Sequence, residues 1–146
     1  MKVVLWIFGI LFALVLIGGG GLYWWWQKNA AGMMEAANAA MADGHKRGSM
    51  MEESGCVTEA VSRHKADASP SITGSVKNGL FLRGCLETSK AQAKFCEGVP
   101  PKGNPMQVGA WAGQACAGAG MNDPYCPSLM QQVVEYCASP KRTSKL

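Results

Sequence analysis

From Val3 to Trp26 the chain carries no charged residue, and this apolar block restricts the fold more than any other feature of the sequence. As a helix rising 1.5 Å per residue it would reach roughly 36 Å, longer than the hydrocarbon core of a bilayer. Its end, Tyr23-Trp24-Trp25-Trp26, gathers four amphipathic rings, as expected where a helix leaves hydrocarbon for the headgroups. Residues 1–28 are therefore read as a single membrane-spanning anchor in contact with lipid through residues 3–26. A cleaved signal peptide is the competing reading, with Lys2 as its charged start, Val3 to Ile17 as its apolar stretch and Gly18 to Gly21 as the small residues before cleavage. The length of the block and its aromatic end favour retention, because the apolar region of a signal peptide is shorter. Lipid attachment to cysteine is disfavoured, since the first cysteine is Cys56.

Charge does not orient the anchor. Lys2 stands on one side and Lys28, Lys46 and Arg47 on the other. The six cysteines do orient it, because so many thiols in a small domain fit an oxidising compartment better than a reducing cytosol. The expected location is an inner membrane, crossed once, with the C-terminal domain in the periplasm. Gly9 and Ala13 have the small-xxx-small spacing that lets two helices approach closely, which leaves room for a homo-oligomer, although a lipid-facing helix is the plainer reading.

Beyond the anchor, residues 29–48 read as a juxtamembrane helix and linker. Met33, Met34, Ala37, Ala40 and Met41 recur at helical spacing, and Asp43-Gly44-His45-Lys46-Arg47-Gly48 reads as a polar break before a domain at 49–140. About four helices follow. Ser49-Met50-Met51-Glu52 has the pattern of a capping box, opening a helix whose inner face holds Cys56, Val57, Ala60, Val61 and His64. Ala68-Ser69-Pro70 ends it and Ser71 caps the next, which runs to Thr88 with Ile72, Val76, Leu80, Phe81, Leu82, Cys85 and Leu86 as a broad buried surface. After the breakers Gly98 to Gly103, Asn104-Pro105 opens a third helix with Val108, Trp111, Ala112, Ala115 and Cys116 on one face, ended by Gly118 and Gly120. Pro127 opens a fourth, with Leu129, Met130, Val133, Tyr136 and Cys137 inward, ended by Ser139-Pro140. Residues 141–146 form a basic tail, expected to be mobile. The fold class is thus all-α: one N-terminal membrane helix and a small disulfide-stapled bundle.

The expected bridges are Cys56-Cys137, Cys85-Cys96 and Cys116-Cys126. A cysteine near a helix end is followed, across a polar turn, by an aromatic-cysteine pair at Phe95-Cys96 and again at Tyr125-Cys126, so a bridge across each turn would set the angle between helices. The remaining two would join the first and last helices of the bundle.

Function is less constrained. The cysteines lack the Cys-x-x-Cys spacing of a thioredoxin-like site, a zinc finger or a c-type haem attachment. Copper is the sharper alternative to a structural role for the polar-side methionines. Met33, Met34, Met41, His45, Met50 and Met51 lie close in sequence, and thioether with imidazole suits Cu(I). Methionine at helical spacing is more often pliable packing, however. His45 and His64 are the two histidines, neither with a sequence-evident nucleophile, and Glu52, Glu53 and Glu59 read as capping or solvated carboxylates. No enzyme, cofactor or catalytic residue is expected, and the net charge of +4 is modest and dispersed, which argues against nucleic acid. The expectation is a membrane-anchored binding or accessory protein, a protein-interaction module of a cell-envelope assembly with another envelope protein as partner. Periplasmic metal binding and a small inhibitor or immunity-type role are the alternatives.

Overall fold

The computed structural model describes the backbone of residues 2–67 and 71–144 and the surroundings of side chains from Gly19 onward, Leu22, Trp25, Trp26 and Asn29 excepted. The chain is all-helical with three disulfides, in the order α1 (Lys2–Gly48), α2 (Glu53–Ala66), α3 (Ile72–Thr88), α4 (Pro105–Gly118), α5 (Cys126–Cys137) and α6 (Pro140–Thr143). It divides into two compact units, Met1–Ala36 and Ala37–Leu146. Among the described residues no helix is long and apolar enough to cross a membrane. Residues 2–18, which make up most of the segment read as an anchor and include Gly9 and Ala13, lie outside the described side chains.

In the first unit, Tyr23 and Trp24 stand exposed on α1. Each is met by the residue one turn on: Gln27 Nε2 donates to the Tyr23 hydroxyl at 2.8 Å, and Lys28 Nζ lies 4.2 Å from the centre of the Trp24 ring.

In the second unit, α3 is the central element. α2 packs antiparallel to it, α5 parallel to it, and the last turns of α1 lie along it. The polar break read at Asp43 to Gly48 is helical, and the reason is tertiary. A Cβ on Gly44 would strike the Phe81 carbonyl, one on Gly48 the Cys85 carbonyl, and one on Gly84 would fall 2.5 Å from the Met41 carbonyl. Three glycines thus bring two helix backbones together, and that packing offsets the cost of about 1 kcal/mol that glycine carries inside a helix. Thr88 Oγ1 donates to the His45 carbonyl at 2.8 Å across the same contact. Arg63 of α2 completes it, donating to Asp43 of α1 at 2.7 Å while its guanidinium lies 3.7 Å from the centre of the Phe81 ring.

The capping box expected at Ser49 does not form. Ser49 Oγ donates back to the Lys46 carbonyl at 2.9 Å, Glu52 is extended, and α2 begins at Glu53. Its first amides are satisfied by the segment that follows α3. Glu53 N donates to the Lys90 carbonyl at 3.3 Å and Ser54 N to Gln92 Oε1 at 2.9 Å. The caps at Ser71 and Asn104 form as expected, accepting from the amides of Gly74 and Gln107. α4 ends where its glycines indicated: Gly120 takes φ +69°, Gly120 N bonds to the Ala117 carbonyl and Met121 N to the Cys116 carbonyl, which is a Schellman cap.

Leu82, Cys85, Leu86, Cys56, Leu129 and Val133 belong to the main core, and Ala112, Cys116, Met121, Cys126 and Met130 form a second cluster under α4. Ile72 and Val76, expected inside, are 70% and 55% exposed. The buried side of that part of α3 is made instead by Ser75, whose Oγ lies 2.7 Å from Ser128 Oγ, and by Gly79, which faces Gln132.

Two of the three expected disulfides are corrected. Cys116 is bonded to Cys126, but Cys56 is bonded to Cys85 and Cys96 to Cys137, so Cys56-Cys137 and Cys85-Cys96 do not occur. Antiparallel packing sets the start of α2 against the end of α3, which places Cys56 beside Cys85. After Thr88 the chain does not make a helix-to-helix turn. Lys90 bridges back to Glu52 at the start of α2, and the following segment carries Cys96 to the end of α5. The tail expected to be mobile is docked as far as α6, where Arg142 is buried.

Candidate ligand groove

α2 packs on α3 and α4 packs on α5, and α2 and α4 are left apart. The gap between them is an open groove of about 450 Å³. Val57 and Val61, one turn apart on α2, form one wall. Trp111 and Ala115 of α4 and Ala119 at its C-cap, spaced one turn apart, form the other, and Met130 and Val133 of α5 make the floor. The end is closed by Phe95, Glu97 and Val99 from the segment between α3 and α4. That segment is held in place: Cys96 is bonded to Cys137, the Phe95 ring meets Tyr136 edge-on at 6.3 Å, and Gly98 turns the chain at φ +78°.

The polar groups at the groove are mostly occupied elsewhere. Thr58 Oγ1 donates to the Ser54 carbonyl, and Ser54 N is bonded to Gln92. Among the described residues Glu97 is the one charged residue lining the groove, and it has no ion-pair partner there. The surface is therefore apolar with a single carboxylate at its end, the composition of a site that takes an apolar body and orients it by one polar group.

The remaining ionisable clusters tie elements together. Glu53, wholly buried, accepts from the Tyr136 hydroxyl at 2.8 Å and from Gln92 N at 2.7 Å, with Arg142 Nε 3.4 Å away. Arg142 also donates to the Gln92 carbonyl at 2.9 Å. Burial, reinforced by the Glu53 carboxylate, pushes the Tyr136 phenol well above its ordinary range. At the other end of α2, His64 Nε2 lies 3.0 Å from Asp123 Oδ1, which also accepts from the amides of Tyr125 and Cys126 at the start of α5. Burial alone would raise the Asp123 carboxyl, but these hydrogen bonds outweigh it and hold it below the usual carboxylate range. A second cleft, polar and about 500 Å³, runs beside α3 and α5. There Glu87 is reached by His45, Lys141 and Arg83, whose contacts overcome burial and lower its carboxyl.

The residues read as metal candidates are divided. Met33 and Met34 are exposed in the first unit, whereas Met41, His45, Met50 and Met51 belong to the second. Met51 packs over Gly55 and against the main core, so its thioether serves packing. His45 Nε2 lies 3.3 Å from Glu87. Met50 is exposed in the turn before α2. Among the described residues no group of three or more His, Cys, Asp or Glu is placed to hold a metal ion. Glu52 and Glu59 are paired with Gln92 and Arg63.

The groove itself was not legible in sequence. Their spacing puts Trp111 and Ala115 on one face with Val108 and Ala112, which predicts burial, yet they stand half-buried at the groove wall. The available signal was that α4 contains no charged residue at all, more apolar surface than one buried stripe needs.

No protein-family model, curated protein or solved structure matches the chain.

Proposed function

We propose that the chain is a membrane-tethered binding protein of the cell envelope, anchored through residues 3–26, whose disulfide-bonded unit works on the oxidising side and takes an apolar guest into the groove between α2 and α4. The groove carries this reading. A contiguous apolar depression walled by half-buried valine and tryptophan over a floor of buried methionine and valine costs solvation free energy when empty, and a guest of matching shape recovers it. Two further features support the setting. Three disulfides are in keeping with an oxidising compartment, and the exposed Tyr23 and Trp24, the latter stacked under Lys28, suit the boundary between hydrocarbon and headgroups. The function needs no covalent chemistry. The groove works by shape and exclusion of water.

Two measurements test it. Protease added to intact spheroplasts should cut the C-terminal unit without lysis, and full protection refutes the topology. In the purified full chain, a neutral alkyl diazirine should label peptides from α2 and α4, and Ala115→Trp, which fills the groove, should suppress that labelling. Labelling elsewhere only, or unchanged by the filled groove, refutes the binding reading.

A further inference from the structure

The groove has an end as well as walls, and the end has a charge. Glu97 is an exposed carboxylate, and among the described residues it has no ion-pair partner and no lysine or arginine lines the groove with it. Two aromatic rings, Phe95 and Trp111, line the same depression. Resting on the groove-binding reading above, we infer that the guest is a small amphiphilic ammonium: an aliphatic body along Val61, Ala115 and Met130, with its cationic head at Glu97. A carboxylate that lines the same depression as two aromatic rings favours a positive head by Coulomb attraction, to which a cation–π contact with a ring adds. It repels an anionic head and leaves a neutral one indifferent. The volume of about 450 Å³ lies in the range of small-molecule sites. α4, uncharged from Pro105 to Gly118, contributes nothing to the charge of the head, so the selection falls on Glu97.

Because Glu97 is exposed, the attraction is partly screened. The expected preference for a cation over an anion is about fivefold at low salt, shrinking as ionic strength rises. The test uses the full chain with its disulfides intact, in phosphatidylcholine nanodiscs, and three decyl diazirine probes that differ only in the head: trimethylammonium, sulfonate or hydroxyl. After irradiation, the labelled fraction of peptides covering residues 54–61 and 111–119 is measured for each. The trimethylammonium probe should exceed the sulfonate several-fold in the wild type, and the difference should vanish in Glu97→Gln and invert in Glu97→Lys. Comparison within each probe across variants removes differences in partition into the bilayer, and a surface substitution at Glu97 leaves the core untouched. Groove labelling by all three probes with no dependence on residue 97 overturns this inference and leaves the binding reading standing. Absence of groove labelling by any probe removes both. A groove shielded from every probe by a second copy of the chain, seen as a cross-linked dimer through α4, overturns the inference as well.

Discussion

Removal of Arg142 should be the most destabilising single change at the C-terminal end. Glu53 has no solvent exposure, and its two oxygens are held by the Tyr136 hydroxyl and the Gln92 amide, with Arg142 as the counter-charge at 3.4 Å. In Arg142→Ala the two hydrogen bonds to Glu53 remain, whereas the positive charge and the donor to the Gln92 carbonyl are lost. Breaking one side of a buried ion pair costs about 3 to 5 kcal/mol, because the other charge is left in low dielectric. The 3.4 Å separation and the two surviving donors put this case at the lower end, about 3 kcal/mol. For a unit of this size that is a fall in melting temperature of about 12 °C, read by circular dichroism on the full chain in a mild non-ionic detergent with disulfides intact. The double variant Glu53→Gln/Arg142→Met separates charge from packing. With no charge left to compensate, its amide oxygen accepts from Gln92 and its amide group donates to Tyr136, so about 2 kcal/mol should return. A fall of less than about 2 °C in Arg142→Ala, or simple additivity in the double variant, refutes the assignment of Glu53 and Arg142 as a buried pair.

Three further outcomes follow. Gly84→Ala should destabilise by about 1 to 3 kcal/mol through overpacking against the Met41 carbonyl, whereas Gly113→Ala on α4, where a new Cβ meets nothing within 4 Å, should stabilise by roughly 0.5 to 1 kcal/mol; equal effects in thermal melts contradict the close helix contact. The Asp123 carboxyl is depressed in the folded state, so the stability it confers is present above its unfolded pKa near 3.8 and lost as pH falls through the lower folded value; acid titration of the melting temperature should show this loss below about pH 4, and Asp123→Asn should abolish that portion. Non-reducing peptide mapping should return Cys56 with Cys85, Cys96 with Cys137 and Cys116 with Cys126, and a Cys85 to Cys96 peptide rejects the path described for the chain after α3.

Those bridges contribute through the unfolded chain. With separations of 29, 41 and 10 residues, chain entropy assigns them about 3.6, 3.9 and 2.7 kcal/mol before native strain. The two long ones join α2 to α3 and the groove-closing segment to α5, so they fix the groove's frame as well as the core.

What the sequence by itself determined is local. Ser71, Asn104, Pro105 and Gly120 mark helix ends because a cap is made by residues within one turn of it, and the period of Leu129, Met130, Val133 and Tyr136 marks the buried face of α5 because helical geometry alone sets which residues share a side. The Cys116–Cys126 bridge is local too, spanning a single turn. Every feature that only the tertiary structure decided joins residues distant in sequence. Ser49 has the pattern of a cap, but the start of α2 is capped by Lys90 and Gln92 instead. Gly44 and Gly48 have the composition of a break, but become helix because α3 lies against them. Glu53 has the look of a solvated carboxylate, and Arg142 of a free tail, until they meet across the domain. Trp111 and Ala115 read as core from their spacing, yet whether a face is covered depends on how far the neighbouring helix stands away, and α2 stands far enough to leave a groove. Pairing across the fold is a property of packing, and one strand of sequence carries no record of the partner that arrives thirty or eighty residues later.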